Sequence, residues 1–474
     1  MFSAQCGAVT IWLFSSYALA TPTVDSAELM AVYREAALHN SEIAAARADF
    51  AAREEALPQA RANLLPTLSV GSRIESTRLS RENPELSRTR SGTIVQANLR
   101  QPIFNAASWF ELEAAKADTV QAAVELAMKE QALILKAAEV YFETLRPTDE
   151  LAASIAEEAA FKLQRDQAQA RLNGGMSSIT DVLDAQSAYD AAIANRKLAQ
   201  RKVEDAFEQL ARLTGRSYSR IEGMEHDMPV NAPIPKDTQA WVNVALRQNL
   251  SLLASNHAVQ NAEQNFSRSR AGHSPTVDAV LSWRRGDNDS FGYTNPSDFG
   301  LDGYGGTVEQ GSVALELNLP LFNGGRTRSQ VREAYDRLAQ KEQEREGYRR
   351  EVVLNARNFF RAVISDIEQI NARRQTVLSS QESLKASRVG ADIGTRNTVD
   401  VLNAQRQLFK AVRDYNNARY DFILNNLRLK QAAGLLAVED LQALSDYLKA
   451  DYEPQRDFLP PGLMSTSAAQ TSVR

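Results

Sequence analysis

Apolar and polar residues alternate with period two in four segments of the chain, which predicts four β-strands with one apolar and one polar face. The segments are 64–76, 92–104, 275–286 and 311–322. In the third, Val277, Ala279 and Leu281 are separated by single residues. Each segment has about the 10-residue length of a tilted membrane strand. A single strand of this kind is typical of an ordinary sheet over a soluble core, so the neighbouring elements must decide its role.

Two segments with almost no helix-breaking residues predict very long helices, 106–172 and 326–389. The first contains one proline, Pro147, and the second one glycine, Gly347. At 1.5 Å per residue each helix reaches about 100 Å, roughly three times the hydrocarbon thickness of a membrane. We therefore expect both helices to stand outside the lipid.

A shorter helix follows each long one, over 179–213 and 398–433, and carries a coiled-coil seam in alternating steps of four and three residues. The seam residues are Val182, Gln186, Tyr189 and Ile193 in the first helix, and Val401, Gln405, Leu408, Val412, Tyr415, Arg419 and Phe422 in the second. Alanines flank both seams. The helices can therefore pack closely on more than one side, as a tube of helices requires.

The chain contains an internal duplication. TDVLDAQ and VDVLNAQ match, and their aspartates, Asp181 and Asp400, lie 219 residues apart. Farther upstream, ALHNSEI from Ala37 matches LRQNLSL from Leu246 at an offset of 209. The offset grows within the Gly/Asn/Asp/Ser-rich stretch DNDSFGYTNPSDFGLDGYGG, which predicts a longer loop between the strands of the second repeat.

These elements give the expected organisation. It comprises a signal peptide (1–20), repeat 1 (21–233), repeat 2 (234–450, beginning with a helix over 238–271) and a disordered tail (451–474); the tip turns are 173–178, with Gly174 and Gly175, and 390–397, with Gly394. The signal peptide rests on an apolar run that ends in Ala18-Leu19-Ala20, although no Lys or Arg precedes it. The tail is rich in Pro, Ser and Thr.

Four strands cannot stand alone in a bilayer. An unpaired backbone group in hydrocarbon costs several kcal/mol, so only a sheet without free edges is stable there. The smallest membrane barrels need about eight strands. We therefore expect copies of the chain to share one barrel; the residues alone imply two or more copies without fixing the number.

Composition narrows the class of protein. The chain has 54 Lys and Arg against 59 Asp and Glu, a net charge of -5, which disfavours nucleic acid as a partner. The only cysteine, Cys6, lies in the predicted signal peptide, and the four histidines lack metal-ligand spacing. We find no nucleophile elbow or phosphate loop. The sequence therefore predicts no enzyme, no metal and no cofactor.

Several stretches resemble the TolC family of outer-membrane channel-tunnels, in that family's order. They include ITDVLDAQSAYDAAIAN, EQLARLTG, AGHSPTVD, GTRNTVDVLNAQ and NNARYDFILNNLRLKQAAG. The resemblance implies a mostly α, mixed α and β fold: a homotrimer with a shared 12-stranded barrel in outer-membrane lipid, continued by a helical barrel through the periplasm. It also implies a passive exit duct for efflux pumps or type I secretion, whose partners are a periplasmic adaptor and an inner-membrane pump, ABC or proton-driven.

The resemblance places Asp400 on the inner wall of the pore, where three copies would form an acidic ring that favours cations. The family often has a second Asp one turn later, where this chain has Asn403. We therefore expect a less acidic constriction. A plainer interpretation is that Asp181 and Asp400 each stabilise the N-terminus of a helix, worth about 0.3 to 1 kcal/mol.

The resemblance also matches Arg396 to a tip arginine that closes the entrance by reaching Thr180 and Asp181 on a helix of the other repeat. A charge-assisted bond of this kind contributes about 1.5 to 3 kcal/mol. The family's supporting tyrosine is replaced by Ala391. A solvated tip arginine without a latch is the alternative.

Two other kinds of protein fit parts of the pattern. A soluble periplasmic coiled-coil scaffold or adaptor would share the helices, with the strands forming a small solvent-facing domain. A peptidoglycan or lipid enzyme would need a site that the sequence does not show. Within the duct interpretation, the cargo stays open, because the pump rather than the duct selects it.

Overall fold

The computed structural model of the protein describes residues 24–83, 85–287 and 306–457, so the predicted signal peptide lies outside the described residues. The elements in chain order are β1 (Val24–Ala27), α1 (Leu29–His39), α2 (Ser41–Glu54), α3 (Ala56–Ala62), β2 (Thr67–Glu82), β3 (Glu85–Asn105), α4 (Ala106–Asn173), α5 (Ile179–Thr214), β4 (Tyr218–Ile221), β5 (Gly223–Met224), α6 (Thr238–Gln248), α7 (Leu250–Ala271), β6 (Thr276–Asp287), β7 (Thr307–Asn318), α8 (Arg326–Asp392), α9 (Thr398–Ala432), α10 (Val438–Ser445), β8 (Leu448–Lys449) and α11 (Pro454–Asp457).

The four predicted strands form one antiparallel sheet in the order β2-β3-β6-β7. Its register aligns an apolar row, Leu68, Leu99, Leu281 and Val313, beside a polar row, Ser69, Asn98, Ser282 and Ser312. Leu68 and Val313 are 69% and 80% exposed, so the apolar face has no cover from the described part of the chain. Within that part, β2 and β7 each pair on one side only. The sheet is amphipathic, as predicted, and has two open edges.

The strand ends differ from the predicted ones. The first hairpin is longer, because β2 and β3 continue to pair as far as Glu82 and Glu85. Apolar alternation stops before that point, but backbone pairing does not require apolar side chains. β7 lies earlier than predicted, since the chain leaves the sheet at Asn318, before Pro320, whose nitrogen cannot donate to a ladder.

Two long helices carry the molecule away from the sheet. α4 has 68 residues and α8 has 67, so each is about 100 Å long. Pro147 lies inside α4 without ending it. α5 packs along α4 and α9 along α8, which gives two helical hairpins; the hairpins meet where α4 contacts α9. No helix in the described ranges is long and apolar enough to span a bilayer.

The helix predicted over 238–271 is in fact two helices, because Asn249 interrupts it. The Asn249 side chain accepts a hydrogen bond from Leu252 N at 3.1 Å and donates one to Ala432 O at 3.0 Å. Asn40 breaks the first repeat in the same way, accepting from Glu42 N at 2.8 Å. Asparagine at both positions is a favoured N-cap, so the break is a shared feature of the repeats.

The main core lies midway along the helices, where the two hairpins meet. Its fully buried members include Leu29 of α1, Tyr141 and Phe142 of α4, Leu429 of α9 and Leu441 of α10. The side chain of Tyr141 donates to Glu222 O at 2.7 Å, which ties the segment that follows α5 to α4. This core holds the repeats to each other.

Residues 446–457, which we call the C-terminal clasp, also pack on this core. β8 pairs with β5, and Tyr452 of the clasp donates a hydrogen bond to Asp149 of α4. The prediction of a disordered tail from residue 451 is therefore wrong for 451–457, because a distant buried contact holds a stretch whose composition alone predicts disorder. The rest of the tail lies outside the described residues.

Candidate functional site

Each long helix ends at a tip in the same type of turn. Met176 N donates to Arg171 O at 2.8 Å, and Thr395 N donates to Gly390 O at 2.8 Å. A bond of this kind closes a helix whose next residue adopts a left-handed conformation. The second turn is shorter than predicted, 393–397, because α8 continues past Gly390 to Asp392.

Glycine is required at one position in each turn. Gly175 has φ of 74° and Gly394 has φ of 77°, a region that residues with a side chain rarely adopt. Gly174 has φ of -84°, and the residue at its position in the other tip is Ile393, with φ of -94°. A side chain is therefore compatible with the position of Gly174.

Both returning helices begin with a reciprocal capping box. Asp400 N donates to Asn397 Oδ1 at 2.8 Å, and the Asp400 carboxylate accepts from Asn397 N at 3.2 Å. Asp181 makes the same pair of bonds with Ser178, at 3.2 and 3.1 Å. Both predicted site aspartates thus have a structural role at a helix N-terminus, whatever further role they have.

Asp181 has an additional donor. The hydroxyl of Ser177 donates to its Oδ2 at 2.7 Å. This bond, followed by the bond from the Ser178 backbone, holds the pKa of Asp181 below its ordinary value, because both favour the carboxylate. Asp181 is therefore an ionised acceptor at neutral pH.

The latch is not formed within one chain. Arg396 is exposed, and no hydrogen bond or ion pair joins it to Thr180 or Asp181, all three being described residues. The Thr180 hydroxyl lies 2.9 Å from the hydroxyl of Ser178. The latch therefore stays a prediction.

Asp400 and Asn403 lie near each other on α9, since residues three apart share a helix face. Asp400 is half-buried and Asn403 is exposed. Leu402, between them, is buried against Phe161 of α4 and the alanines of α5. This packing fixes the face of α9 that carries the two polar side chains; their role in a constriction stays a prediction.

A buried polar cluster near the middle of the helices was missed from the sequence. Tyr420 Oη donates to Asp149 Oδ2 at 2.6 Å, and Tyr452 donates to the other carboxylate oxygen. Burial raises the pKa of Asp149 to about 6, although these hydrogen bonds act to lower it. Asp149 lies two positions after Pro147 and directly before Glu150, in a polar stretch that gives no sequence signal of burial.

The same cluster includes a buried arginine. Arg419 is 1% exposed, donates to Glu225 O and lies 3.3 Å from Nδ1 of His226. Nε2 of His226 lies 2.8 Å from Asp457 O of the clasp. Burial, and then the neighbouring Arg419 cation, lower the pKa of His226. Both ring nitrogens are engaged, which fits a neutral imidazole.

The described residues contain no group of His, Cys, Asp and Glu side chains arranged to hold a metal ion.

Comparison with known proteins identifies the family of this chain. The outer membrane efflux protein model matches residues 32–216 and 241–435. The chain belongs to the outer membrane efflux protein family. The two matched stretches begin 209 residues apart and end 219 apart, which are the offsets of the internal duplication.

Relatives from the same family match this chain over most of its length. The chain is 32% identical over 439 residues to the outer membrane protein TolC of Vibrio cholerae, covering 92% of this chain and 98% of that protein. It is 25% identical to the alkaline protease secretion protein AprF of Pseudomonas aeruginosa over 76% and 73% of the two chains. A crystal structure of CusC matches with a TM-score of 0.75 at 18% identity, over 87% and 93%, and shows the same fold.

As a member of this family, the chain is an outer-membrane channel protein that extends into the periplasm, and it is not an enzyme. The comparisons confirm the predicted family, the mostly α, mixed α and β fold and the outer-membrane location. A soluble periplasmic scaffold is excluded by the same findings.

Proposed function

We propose that three copies of this chain form one exit duct across the outer membrane, for efflux pumps, for type I protein secretion or for both. Family membership supports the transport role. The observation that carries the proposal is the amphipathic four-stranded sheet with open edges at β2 and β7. Three such sheets joined edge to edge make a closed barrel, with the apolar rows facing lipid and the polar rows lining the lumen.

The duplication suggests how the helices of neighbouring copies meet. Within one chain, α4 contacts α9 through Glu139 and Arg428, at 2.8 Å, and through Arg146 and Asp421, at 2.5 Å. In the internal duplication, α8 corresponds to α4 and α5 corresponds to α9. The face of α8 that is equivalent to the α9-contacting face of α4 should therefore contact α5 of the next copy. Arg361 lies on that face and is exposed.

The charges of the two surfaces are complementary. A groove of about 660 Å³ between α6 and α8 is bordered by Arg349, Arg350, Arg357 and Arg361. On α5, Glu204, Asp205 and Glu208 are exposed. An antiparallel contact in the register of α4 and α9 brings Arg361 level with residues 205 and 206 of a neighbouring copy, within one helical turn of Glu208. In the first repeat, the counterpart of this groove is covered by the chain itself, since Gln131 donates to Leu436 O at 3.0 Å.

At the tips, the proposed duct is closed at rest. Arg396 of one helical hairpin holds Thr180 and Asp181 of a neighbouring one, and Asp400 with Asn403 lines the constriction. A periplasmic adaptor docks at the tips and opens them, and an inner-membrane pump, ABC or proton-driven, supplies the energy. The duct itself needs no cofactor and binds no nucleic acid.

Charge reversal tests the assembly. Arg361→Glu and Glu208→Arg should each increase the monomer fraction on dilution in detergent, measured by light scattering after size exclusion, because each places like charges at three contacts. The double variant should restore the trimer. A wild-type chain that is monomeric under all conditions, or a double variant no better than the singles, would contradict the proposed contact.

Conductance tests the duct. The purified wild-type protein should insert into planar bilayers and form discrete channels, and the native protein should fractionate with the outer membrane. If the wild-type protein forms channels but the charge-reversal variants do not change the monomer fraction as expected, only the proposed helix contact is rejected. The absence of channels would reject the function.

A further inference from the structure

The two β-hairpins of the sheet are equivalent in register. Thr67 pairs with Arg100 in the first hairpin, and Thr276 pairs with Asn318 in the second. Thr276 lies 209 residues after Thr67, and Asn318 lies 218 residues after Arg100. Each residue of β6 therefore has a defined equivalent in β2, and each residue of β7 has one in β3.

The joint between the hairpins shows how the equivalent edges pair. β3 pairs with β6 there, and Asn98 lies directly opposite Ser282. Glu316 of β7 is the equivalent of Asn98, and Arg73 of β2 is the equivalent of Ser282. Pairing of β7 with β2 of the next copy in the same register therefore places Glu316 directly opposite Arg73.

Two carboxylates share one arginine beside the open edge of β7. Asp278 and Glu316 are directly opposite each other on β6 and β7, an arrangement of like charges that destabilises a sheet. Nη2 of Arg100 lies 3.1 Å from Oδ2 of Asp278 and 2.9 Å from Oε2 of Glu316. The side chain of Glu316 is 52% exposed, so it remains accessible to a second cation from a neighbouring strand.

The opposite edge of the sheet carries a cation at the matching position. Arg73 lies on β2, on the polar face that includes Ser69, and 74% of its side chain is exposed. Its ion pair with Glu75 of the same strand is long, at 4.0 Å. The open edges of β2 and β7 thus have complementary charges on the same face of the sheet.

Other registers lose this complementarity. A slip of one residue would bring β2 in with its apolar face on the polar side of the barrel wall. A slip of two residues would place Glu316 opposite Glu75 in one direction and opposite Gly71 in the other. The register given by the duplication also places Leu315 opposite Ile74, two apolar side chains that are 72% and 84% exposed in the single chain.

We propose that Glu316 of one copy and Arg73 of the next form a cross-strand ion pair at each seam of the barrel, and that this pair sets the register in which the copies join. Together with Arg100 and Asp278, it gives each seam a row in which two arginines alternate with two carboxylates. The proposal rests on the shared barrel of the proposed function and adds the register of its seams.

Paired cysteines on the apolar face measure the register without changing these charges. Leu315→Cys with Ile74→Cys, in a Cys6→Ala background, is oxidised with copper phenanthroline in isolated outer membranes. Cα atoms directly opposite in antiparallel strands lie about 4.5 to 5.5 Å apart, which a disulfide can span. Within one sheet the two positions are roughly 14 Å apart, three strand spacings, so a disulfide between them joins two copies.

Control pairs sample the slipped registers. Leu315→Cys with Ser72→Cys or with Ser76→Cys would be about 7 to 8 Å apart in the proposed register, too far for a disulfide. We expect the Ile74 pair to give at least about tenfold more covalent trimer on a non-reducing gel than either control. Leu99→Cys with Leu281→Cys, directly opposite within one chain, is the positive control for oxidation and should not join copies.

A second series tests the ion pair itself. Arg73→Glu, added to the Leu315 and Ile74 cysteines, places like charges opposite each other and should reduce the covalent trimer about three- to fivefold. Arg73→Lys retains the positive charge and should leave it unchanged.

The outcomes separate this proposal from the proposed function. More trimer from a slipped pair than from the Ile74 pair, or none from the Ile74 pair while the positive control links, would overturn the register. Equal trimer with Arg73→Glu and Arg73→Lys would overturn the ion pair. In each case wild-type channels in planar bilayers would leave the duct standing, whereas their absence would reject the duct itself.

Discussion

Gly175 and Gly394 hold the same left-handed backbone conformation at the two tips, 219 residues apart in the chain. Apart from the adjacent residues, no atom lies within 4 Å of the position that a Cβ would occupy at either glycine. The space around both residues is open, so what requires glycine at these positions is backbone conformation rather than packing.

Gly175→Ala and Gly394→Ala should therefore loosen their own tips. A left-handed conformation costs a residue with a Cβ about 1 to 2 kcal/mol, so local opening should become roughly tenfold more frequent. Hydrogen exchange of the tip peptides 171–181 and 390–400 measures this. Gly174→Ala is the matched control, because its φ is ordinary and the tightest contact of its Cβ would be the flexible terminal methyl of Met176, at 3.2 Å. Equal exchange in all three variants would contradict the conformational argument.

The duplication, the long helices and the four strands could be predicted because each depends on local periodicity. The helix break at Asn249 could not, since asparagine is unremarkable inside a polar helix until its side chain is seen to cap Leu252 N. The clasp was missed for a different reason. Tyr452 is held by Asp149, about 300 residues earlier in the chain, and no local pattern reports a contact of that range.

The candidate site was partly accessible from sequence. The repeated TDVL and VDVL phrases correctly indicated the starts of α5 and α9, and the structure adds the capping boxes that Asp181 and Asp400 complete. The alternating steps of four and three residues predict Arg419 to be a seam residue of a coiled coil. Its position on α9 fits that pattern, but the Glu225 carbonyl and the His226 ring that surround its guanidinium come from a distant segment.

Arg419→Met should strongly destabilise the core where the two helical hairpins meet. The substitution removes the Arg419 cation, which favours the buried Asp149 carboxylate, and leaves Glu225 O without its donor, a class of change that costs about 1 to 3 kcal/mol for each buried group left uncompensated. Arg428→Met is the control, since its pair with Glu139 is partly exposed and should contribute at most about 1 kcal/mol. Denaturant unfolding followed by circular dichroism compares them. Similar midpoints for the two variants would show that Arg419 is not needed to balance Asp149.

The predicted acidic constriction can be tested by changing its charge. Asn403→Asp adds one carboxylate per copy near Asp400, so block of the channel by divalent cations should require a roughly tenfold lower concentration, and Asp400→Asn should have the opposite effect. An asparagine at this position can still accept the bond from Asn397 N, so the second substitution retains the capping box. Conductance in planar bilayers at fixed ionic strength gives the blocking concentration. Unchanged block in both variants would place these residues away from the pore.

The latch makes a separate prediction about the resting channel. Arg396→Ala and Asp181→Asn should each raise single-channel conductance, because each removes a charge-assisted bond of about 1.5 to 3 kcal/mol from every one of three closed contacts. Asp181→Asn leaves an acceptor for Ser178 N, so a rise in conductance would reflect the latch rather than fraying of α5. Arg388→Ala is the control: this arginine is also exposed near the tip, on α8. If conductance stays at the wild-type level in both latch variants, or rises equally with Arg388→Ala, the tip is not closed by Arg396.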